Sequence, residues 1–142
     1  KQKFEHEMAS LLGGYVAEEM IYGQVSTGPS NDLERASAMA RRMVTEFGMS
    51  PLGPTVYGEK NHEIFLGRDY GHAKNYSEER AAEIDSEVND FVQRAYKQAK
   101  ELLSKHKDRL EAIAKKLIEV ETLDREEFVN LFENKKLKTK SA

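Results

Sequence analysis

One long amphipathic pattern in the second half of the chain constrains the fold most. After Ser77, apolar side chains recur every three or four residues as far as about Lys105, at Ile84, Val88, Phe91, Ala95, Ala99 and Leu102. Residues with this spacing share one face of an α-helix, so the pattern predicts a long helix with a buried stripe. Ser77 followed by Glu78 and Glu79 marks its start, because a hydroxyl caps free N–H groups and carboxylates complement the helix dipole.

Apolar residues from Phe4 to Tyr22 recur at helical spacing, which predicts an N-terminal helix that is interrupted at Gly13 and Gly14. A glycine in a helix interior costs about 1 kcal/mol relative to alanine. We therefore expect another backbone to come close to the helix at this pair.

A further helix is predicted to begin at Asn31, since Asn31 and Glu34 form a capping-box-like pair, and to end at Gly48. Its inward-facing positions are Leu33, Ala36, Ala40, Met43, Val44 and Phe47.

Two shorter helices are predicted near the C-terminus. The first runs from about Asp108 to Val120, and the second follows a second capping pair, Asp124 and Glu127. Their inward-facing residues are Leu110, Ile113, Leu117 and Val120 in the first, and Phe128, Leu131 and Phe132 in the second.

The remaining segments are irregular. Residues 49–76 form a central arm that could hold a short β-hairpin of Thr55 to Tyr57 and Ile64 to Leu66. Residues 135–142 carry four lysines and no acid, which predicts a basic flexible tail. We therefore expect an all-α fold with one domain over residues 1–134.

Composition excludes several classes of function. The formal net charge of -3 gives no reason to expect a nucleic-acid partner. Cysteine is absent, so the chain has no disulfide, no thiolate metal ligand and no thiol nucleophile. No apolar run approaches the roughly 18 residues that span a bilayer, so we expect this chain to be soluble and to make no direct membrane contact. Because it begins at Lys1 inside a predicted helix, without an initiator methionine, we expect it to be a fragment.

The four histidines do not form a metal site by themselves. His6 and His62 are each followed by glutamate, as in the zinc-binding motif HExxH, but Ser10 and Leu66 stand where the second histidine would be. That motif needs two histidines four residues apart, because only then do both imidazoles reach one zinc ion. We interpret His6 and His62 as surface residues. His106 falls near a helix end, and His72 has no assigned role.

Asp32 is the most informative acidic residue. It stands in the first turn of a predicted helix, after a loop that contains Gly28 and Pro29. From the residues alone, we interpret Asp32 as a residue that stabilises the start of the helix, because an aspartate in the first turn contributes about 0.3–1 kcal/mol through the helix dipole. Spacing and composition do not distinguish this role from metal binding.

A set of short motifs, in order along the chain, closely resembles the peptidase domain of the FtsH family of ATP-dependent zinc proteases. They are Leu11-Leu12-Gly13-Gly14, Ala17-Glu18-Glu19, Tyr22-Gly23, Ser26-Thr27-Gly28, Asn31-Asp32, Ala40-Arg41-Arg42-Met43-Val44, Gly48-Met49-Ser50, Leu52-Gly53-Pro54, Phe65-Leu66-Gly67, Ile84-Asp85-Ser86-Glu87-Val88 and Glu119-Val120-Glu121-Thr122-Leu123. Each motif is weak alone, but the ordered set covers the chain to about Phe132 and is highly specific.

The resemblance implies a zinc site of which this chain supplies one ligand. In the family, two histidines of an upstream HExxH and one aspartate hold zinc, and the motif's glutamate activates water. The aspartate falls on Asp32, while the HExxH lies outside this chain, so no catalytic residue is expected here. Glu18 and Glu19 are rival acids, and we rank both below Asp32 as ligands.

The resemblance also implies the setting of the whole protein. Family members are membrane-anchored homohexamers in which an AAA+ module uses ATP, and they degrade membrane proteins and short-lived soluble proteins. The expected location is the cytoplasmic side of a bacterial inner membrane or its organelle equivalent. Two other functions stay open: a non-catalytic helical oligomerisation or adaptor module, and a helical protein that binds metal through carboxylates. Only the protease hypothesis predicts that zinc binding requires Asp32 but not Glu34.

Overall fold

The computed structural model describes residues 1–58 and 75–133, and in these residues it contains helices but no β-strand. The helices are α1 (Gln2–Leu11), α2 (Gly13–Tyr22), α3 (Ser30–Thr45), α4 (Glu78–Lys105), α5 (Lys107–Val120) and α6 (Arg125–Phe132). The all-α fold class is therefore confirmed. None of the described helices is long and apolar enough to cross a membrane.

The chain divides into two compact units, Lys1–Lys100 and Glu101–Ala142. The first unit contains α1, α2, α3 and most of α4, and the second contains α5 and α6. The single domain over residues 1–134 stays a prediction, and the basic tail lies outside the described residues.

The core of the first unit comes mainly from the predicted stripes, but Phe47, predicted to face inward near the end of α3, is 38% exposed. Met8, Ala9, Leu12 and Val16 come from the N-terminal segment, and α3 and α4 add the rest: Ala36, Ala40, Met43, Val44, Ile84, Val88, Phe91, Ala95 and Ala99. The stripe of α4 is thus confirmed from Ile84 to Ala99. Leu102, predicted to continue it, is 52% exposed and lies in the second unit.

In the second unit, α5 and α6 contact each other, yet neither contains a buried residue. Leu117, Val120, Phe128 and Phe132 were predicted to face inward, and all four are exposed. The prediction was wrong for them because two short helices bury only a narrow seam, and apolar residues beside that seam stay accessible within the unit. Phe128 and Phe132 stack on each other with ring centroids 6.2 Å apart.

The N-terminal pattern forms two helices instead of one. The break falls at Leu12, whose N–H bonds to the Met8 and Ser10 carbonyl oxygens. Glycine's weak helix propensity explains why a break is tolerated just before Gly13 and Gly14. We expected another backbone to come close to these glycines. In the described residues this prediction is wrong, since a Cβ built on either glycine would meet nothing within 4 Å.

Two of the three predicted helix caps form. The Arg80 N–H donates to Ser77 Oγ at 3.1 Å, and Asp124 and Glu127 make a complete capping box. The Asn31–Glu34 pair does not, because α3 begins one residue earlier with Pro29 at the N-cap and no side-chain cap. The Ser30 N–H bonds to the Thr27 carbonyl at 3.2 Å, so a backbone turn leads into this helix.

The central arm is closed at its base. The Gly58 N–H donates to Asn75 Oδ1 at 2.8 Å, and the rings of Tyr57 and Tyr76 meet edge to face at 5.9 Å. Thr55 to Tyr57, one half of the possible hairpin, has no regular secondary structure. The other half, Ile64 to Leu66, lies outside the described residues.

Phe91 provides a test of this core, because its side chain is completely buried. We expect Phe91→Ala to lower the free energy of unfolding by about 3–5 kcal/mol, the usual cost of truncating a buried phenylalanine. Leu102→Ala is the control and should cost under about 1 kcal/mol, since Leu102 is half-exposed. Urea denaturation of the chain measures both. A loss of less than about 1 kcal/mol for Phe91→Ala would show that the stripe of α4 is not the core.

Candidate metal-ligand site

The loop between α2 and α3 determines where Asp32 lies. Gly23 ends α2 in a left-handed conformation with φ of 68°, and its N–H bonds to the Glu19 carbonyl at 3.0 Å. A residue with a side chain would be strained there, which accounts for the glycine. At the other end of the loop, the buried Pro29 is the N-cap of α3. Asp32 therefore occupies the first turn of α3, as predicted.

The Asp32 carboxylate is accessible and weakly paired. Its side chain is 45% exposed, and Oδ1 lies 3.5 Å from Nη1 of Arg35, one turn along the same helix. An exposed ion pair of this kind contributes only about 0–1 kcal/mol. The carboxylate can thus exchange this partner for a cation at little cost. It is a hard anionic oxygen donor of the kind that zinc accepts in mixed histidine and carboxylate sites.

Glu18 holds the loop that precedes Asp32. Its Oε2 accepts the Ser26 N–H at 2.7 Å, and its Oε1 accepts the Ser26 hydroxyl at 3.1 Å. Ser26 Oγ in turn accepts the Gly28 N–H at 3.1 Å. A Cβ at Gly28 would lie 3.2 Å from Ser26 Oγ and 3.5 Å from Glu18 Oε1, so the absence of a side chain lets the loop close tightly. We call these bonds between Glu18, Ser26 and Gly28 the Glu18 clamp.

Glu19 has a different set of partners. Tyr96 of α4 donates its hydroxyl proton to Glu19 Oε2 at 2.5 Å, and Lys100 Nζ lies 3.3 Å from the same oxygen. These hydrogen bonds, from Tyr96 first and then Lys100, lower the pKa of Glu19 below 4.5. The hydrogen bonds to Tyr96 and Glu19 likewise raise the pKa of Lys100. Glu19 therefore ties α2 to α4.

From the sequence, both glutamates rank below Asp32 as ligands, but the sequence does not predict the hydrogen bonds of Glu18 to Ser26 or of Glu19 to Tyr96. Ser26 is eight residues from Glu18, and Tyr96 is 77 residues from Glu19. In each pair the partners lie in different elements, so no pattern within one helix signalled them.

A groove of about 460 Å³ lies beside this site. It is lined by Leu12, Tyr15, Glu19, Leu33, Val92, Gln93 and Tyr96. Tyr15 and Tyr96 meet edge to face at 6.3 Å within it. Leu33, the residue after Asp32, forms part of the lining, so the groove extends to the start of α3.

The described residues do not complete a metal site. Across residues 1–58 and 75–133, no three histidine, aspartate or glutamate side chains come together in a way that could hold a metal ion. His6 is exposed on α1, and His106 follows the last residue of α4, against Phe132. His62 and His72 lie outside the described residues. By itself, Asp32 has the donor chemistry of one zinc ligand.

Comparisons with known proteins find similar sequences in one family of peptidases. The model of peptidase family M41 matches residues 1–131. ATP-dependent zinc metalloprotease FtsH 1 of Sphaerobacter thermophilus is 50% identical over 134 residues, which cover 94% of this chain and 20% of that protein. FtsH of Bacillus subtilis is 47% identical over 136 residues, or 94% of this chain and 21% of that protein. The chain thus spans about a fifth of the length of these relatives.

The Glu19 contacts make stability depend on pH. Because the pKa of Glu19 is lowered on folding, its contribution is present above its ordinary value of 4.5 and is lost as pH falls through the lowered value. Glu19→Gln should therefore differ most from the wild type near neutral pH, and this difference should shrink below pH 4.5. Urea denaturation at a series of pH values measures it.

Tyr96→Phe is the partner control for this experiment, since it removes the hydrogen bond that contributes most to the lowered pKa. In a Tyr96→Phe background, the effect of Glu19→Gln should depend less on pH. A stability difference that stays constant from neutral to acidic pH would contradict the assignment.

Proposed function

Because this chain belongs to peptidase family M41, we propose that it is part of an ATP-dependent zinc metalloprotease, in which it supplies Asp32 as the third zinc ligand and a helical scaffold. The observation that carries the proposal is the state of Asp32. Its carboxylate stands in the first turn of α3 and is nearly half exposed, and its one contact within the described part of the chain is a long one to Arg35.

The donor chemistry supports a site shared with an upstream segment. Catalytic zinc commonly has three protein ligands and one open position, and two histidines with one carboxylate form such a set. The two histidines and the general-base glutamate would come from an HExxH motif upstream of Lys1. Zinc, when bound, lowers the pKa of its water to about 7 and polarises the scissile carbonyl. Asp32 would contribute a negative charge and fix the ion beside the start of α3.

The partners follow from the same proposal. Substrates would be membrane proteins and short-lived soluble proteins, degraded processively as an AAA+ module of the same protein hydrolyses ATP. The protein would work as a homohexamer at the cytoplasmic side of the inner membrane, with this chain in the soluble part.

A non-catalytic oligomerisation module is the alternative that one observation favours. In the second unit, Ile118 is 84% exposed and Phe128 is 45% exposed, so α5 and α6 offer apolar side chains to a partner. The two functions differ at Asp32. An oligomerisation module has no need of its carboxylate, whereas the protease does.

We expect the isolated 142-residue chain to lack peptidase activity. One carboxylate cannot hold zinc with an open position, and the described residues bring no second and third ligand to it. Incubation with zinc and unfolded casein, followed by measurement of released peptides, should show no cleavage above buffer. Hydrolysis that a chelator abolishes would overturn the assignment of the missing ligands.

In the full-length protein, Asp32→Asn should nearly abolish proteolysis and leave ATP hydrolysis largely intact. Asparagine keeps the shape of the side chain near the helix start, so folding should lose no more than about 1 kcal/mol. It lacks the anionic oxygen that completes the proposed zinc site. Casein degradation, ATPase rate and zinc content measure the three effects.

Glu34→Gln is the matched control. Glu34 is an exposed carboxylate of the same helix, about 200° around the axis from Asp32. It should keep wild-type proteolysis and zinc content. If both variants behave like the wild type, Asp32 is an ordinary first-turn acid. If Glu34→Gln loses activity and Asp32→Asn does not, the ligand is Glu34 and the assignment to Asp32 is wrong.

A further inference from the structure

We propose that Glu18 is a positioning residue for the zinc site: through its hydrogen bonds to Ser26 it holds the loop that places Asp32, without itself binding the metal. This inference rests on the proposed function, because the ligand that it positions is Asp32.

Both oxygens of Glu18 are engaged within the protein. Oε2 accepts the Ser26 N–H at 2.7 Å, which is short for such a bond and typical of an ionised acceptor. Oε1 accepts the Ser26 hydroxyl at 3.1 Å. A carboxylate used in this way on both oxygens is poorly placed to act as a metal ligand too, since it would first have to release the loop.

The clamp acts on the segment that leads directly into α3. Ser26 Oγ accepts a hydrogen bond from the Gly28 N–H, so Gly28 is restrained as well. The Thr27 carbonyl accepts the Ser30 N–H at 3.2 Å. Pro29 is buried, which fixes the last residue before the helix. The backbone from Ser26 to Ser30 is thus held at successive points, and Asp32 lies two residues further on.

Zinc needs its ligands already in place, because each displacement of a carboxylate must be corrected at the expense of binding free energy. In known metal sites, removing a residue that orients a ligand typically weakens metal affinity by about 10–100-fold. The loop has no helix or strand of its own, and the Glu18 clamp restrains its middle through side-chain hydrogen bonds.

The test compares two substitutions of the same residue in the full-length protein. Glu18→Ala removes the clamp, and we expect zinc affinity to fall by about 10–100-fold, as measured by competition with a chromogenic chelator. Glu18→Gln keeps an oxygen that accepts the Ser26 N–H, and it should bind zinc nearly as tightly as the wild type. Rescue by glutamine separates positioning from ligation, since a ligand would lose its charge in both variants.

A second readout does not depend on zinc. In the 142-residue chain, amide hydrogen exchange at Ser26 and Gly28 should become at least about fivefold faster in Glu18→Ala, as expected for loss of a hydrogen bond worth about 1 kcal/mol. Glu18→Gln should keep the slow exchange at Ser26. Glu34→Gln is the control and should change neither the exchange nor zinc affinity.

Ser26→Ala tests the clamp from the other side if Glu18→Ala fails to fold. Ser26 is an exposed loop residue, so its truncation leaves the core intact. It removes the hydroxyl that bridges Glu18 and Gly28 and keeps the backbone bond to Glu18. Faster exchange at Gly28 with a smaller loss of zinc affinity supports the inference, and wild-type behaviour in both measurements overturns it.

The remaining outcomes separate this inference from the proposed function. Equal loss of zinc in Glu18→Ala and Glu18→Gln, with normal exchange in the latter, makes Glu18 a ligand and overturns the positioning role. Wild-type zinc affinity in Glu18→Ala overturns it as well, while Asp32→Asn still loses zinc. If Asp32→Asn itself binds zinc like the wild type, the proposed function fails first.

Discussion

The first unit depends on its apolar core, to which α1, α2, α3 and α4 all contribute completely buried side chains. Phe91, Met8 and Met43 are completely buried in this core, so the helices cannot shift without exposing large apolar side chains. Two polar contacts join α4 to the other helices. Arg41 Nη2 of α3 lies 2.9 Å from Asp85 Oδ1, and Tyr96 donates a hydrogen bond to Glu19 of α2. Because α2 and α3 are both held against α4, the loop between them has fixed ends, and the start of α3 has a defined position.

Glu18, Glu19 and Asp32, the three acidic residues near the start of α3, have different roles, which follow from their hydrogen-bond and ion-pair partners. Glu19 joins α2 to α4, and Glu18 restrains the loop. Within residues 1–58 and 75–133, Asp32 has a single long contact, to Arg35 on its own helix. The two glutamates thus meet their hydrogen-bonding needs inside the protein, while the aspartate remains available to a cation. This difference supports Asp32 as the metal ligand more strongly than its place in the first turn alone.

The sequence predicted the parts of the fold that local patterns determine. The stripe of α4 from Ile84 to Ala99, the cap at Ser77 and the capping box at Asp124 depend on residues at most a few positions apart, and all are found. The break at Leu12 and the start of α3 at Ser30 were missed by one residue, because backbone turns determine them. For the candidate site, the resemblance to a family named Asp32, but the roles of Glu18 and Glu19 emerge only from contacts between distant residues. The exposure of Leu117 and Phe128 could not be predicted, since helical spacing does not say whether a second helix covers the stripe.

The most direct test of the central claim is the zinc coordination itself, determined by anomalous diffraction at the zinc edge from crystals of the full-length protein or of its complete peptidase domain. The account predicts an Oδ atom of Asp32 at about 2.0–2.2 Å from the ion, together with two imidazole nitrogens. A zinc ion that is bound by the two histidines and by a carboxylate other than Asp32 would contradict it.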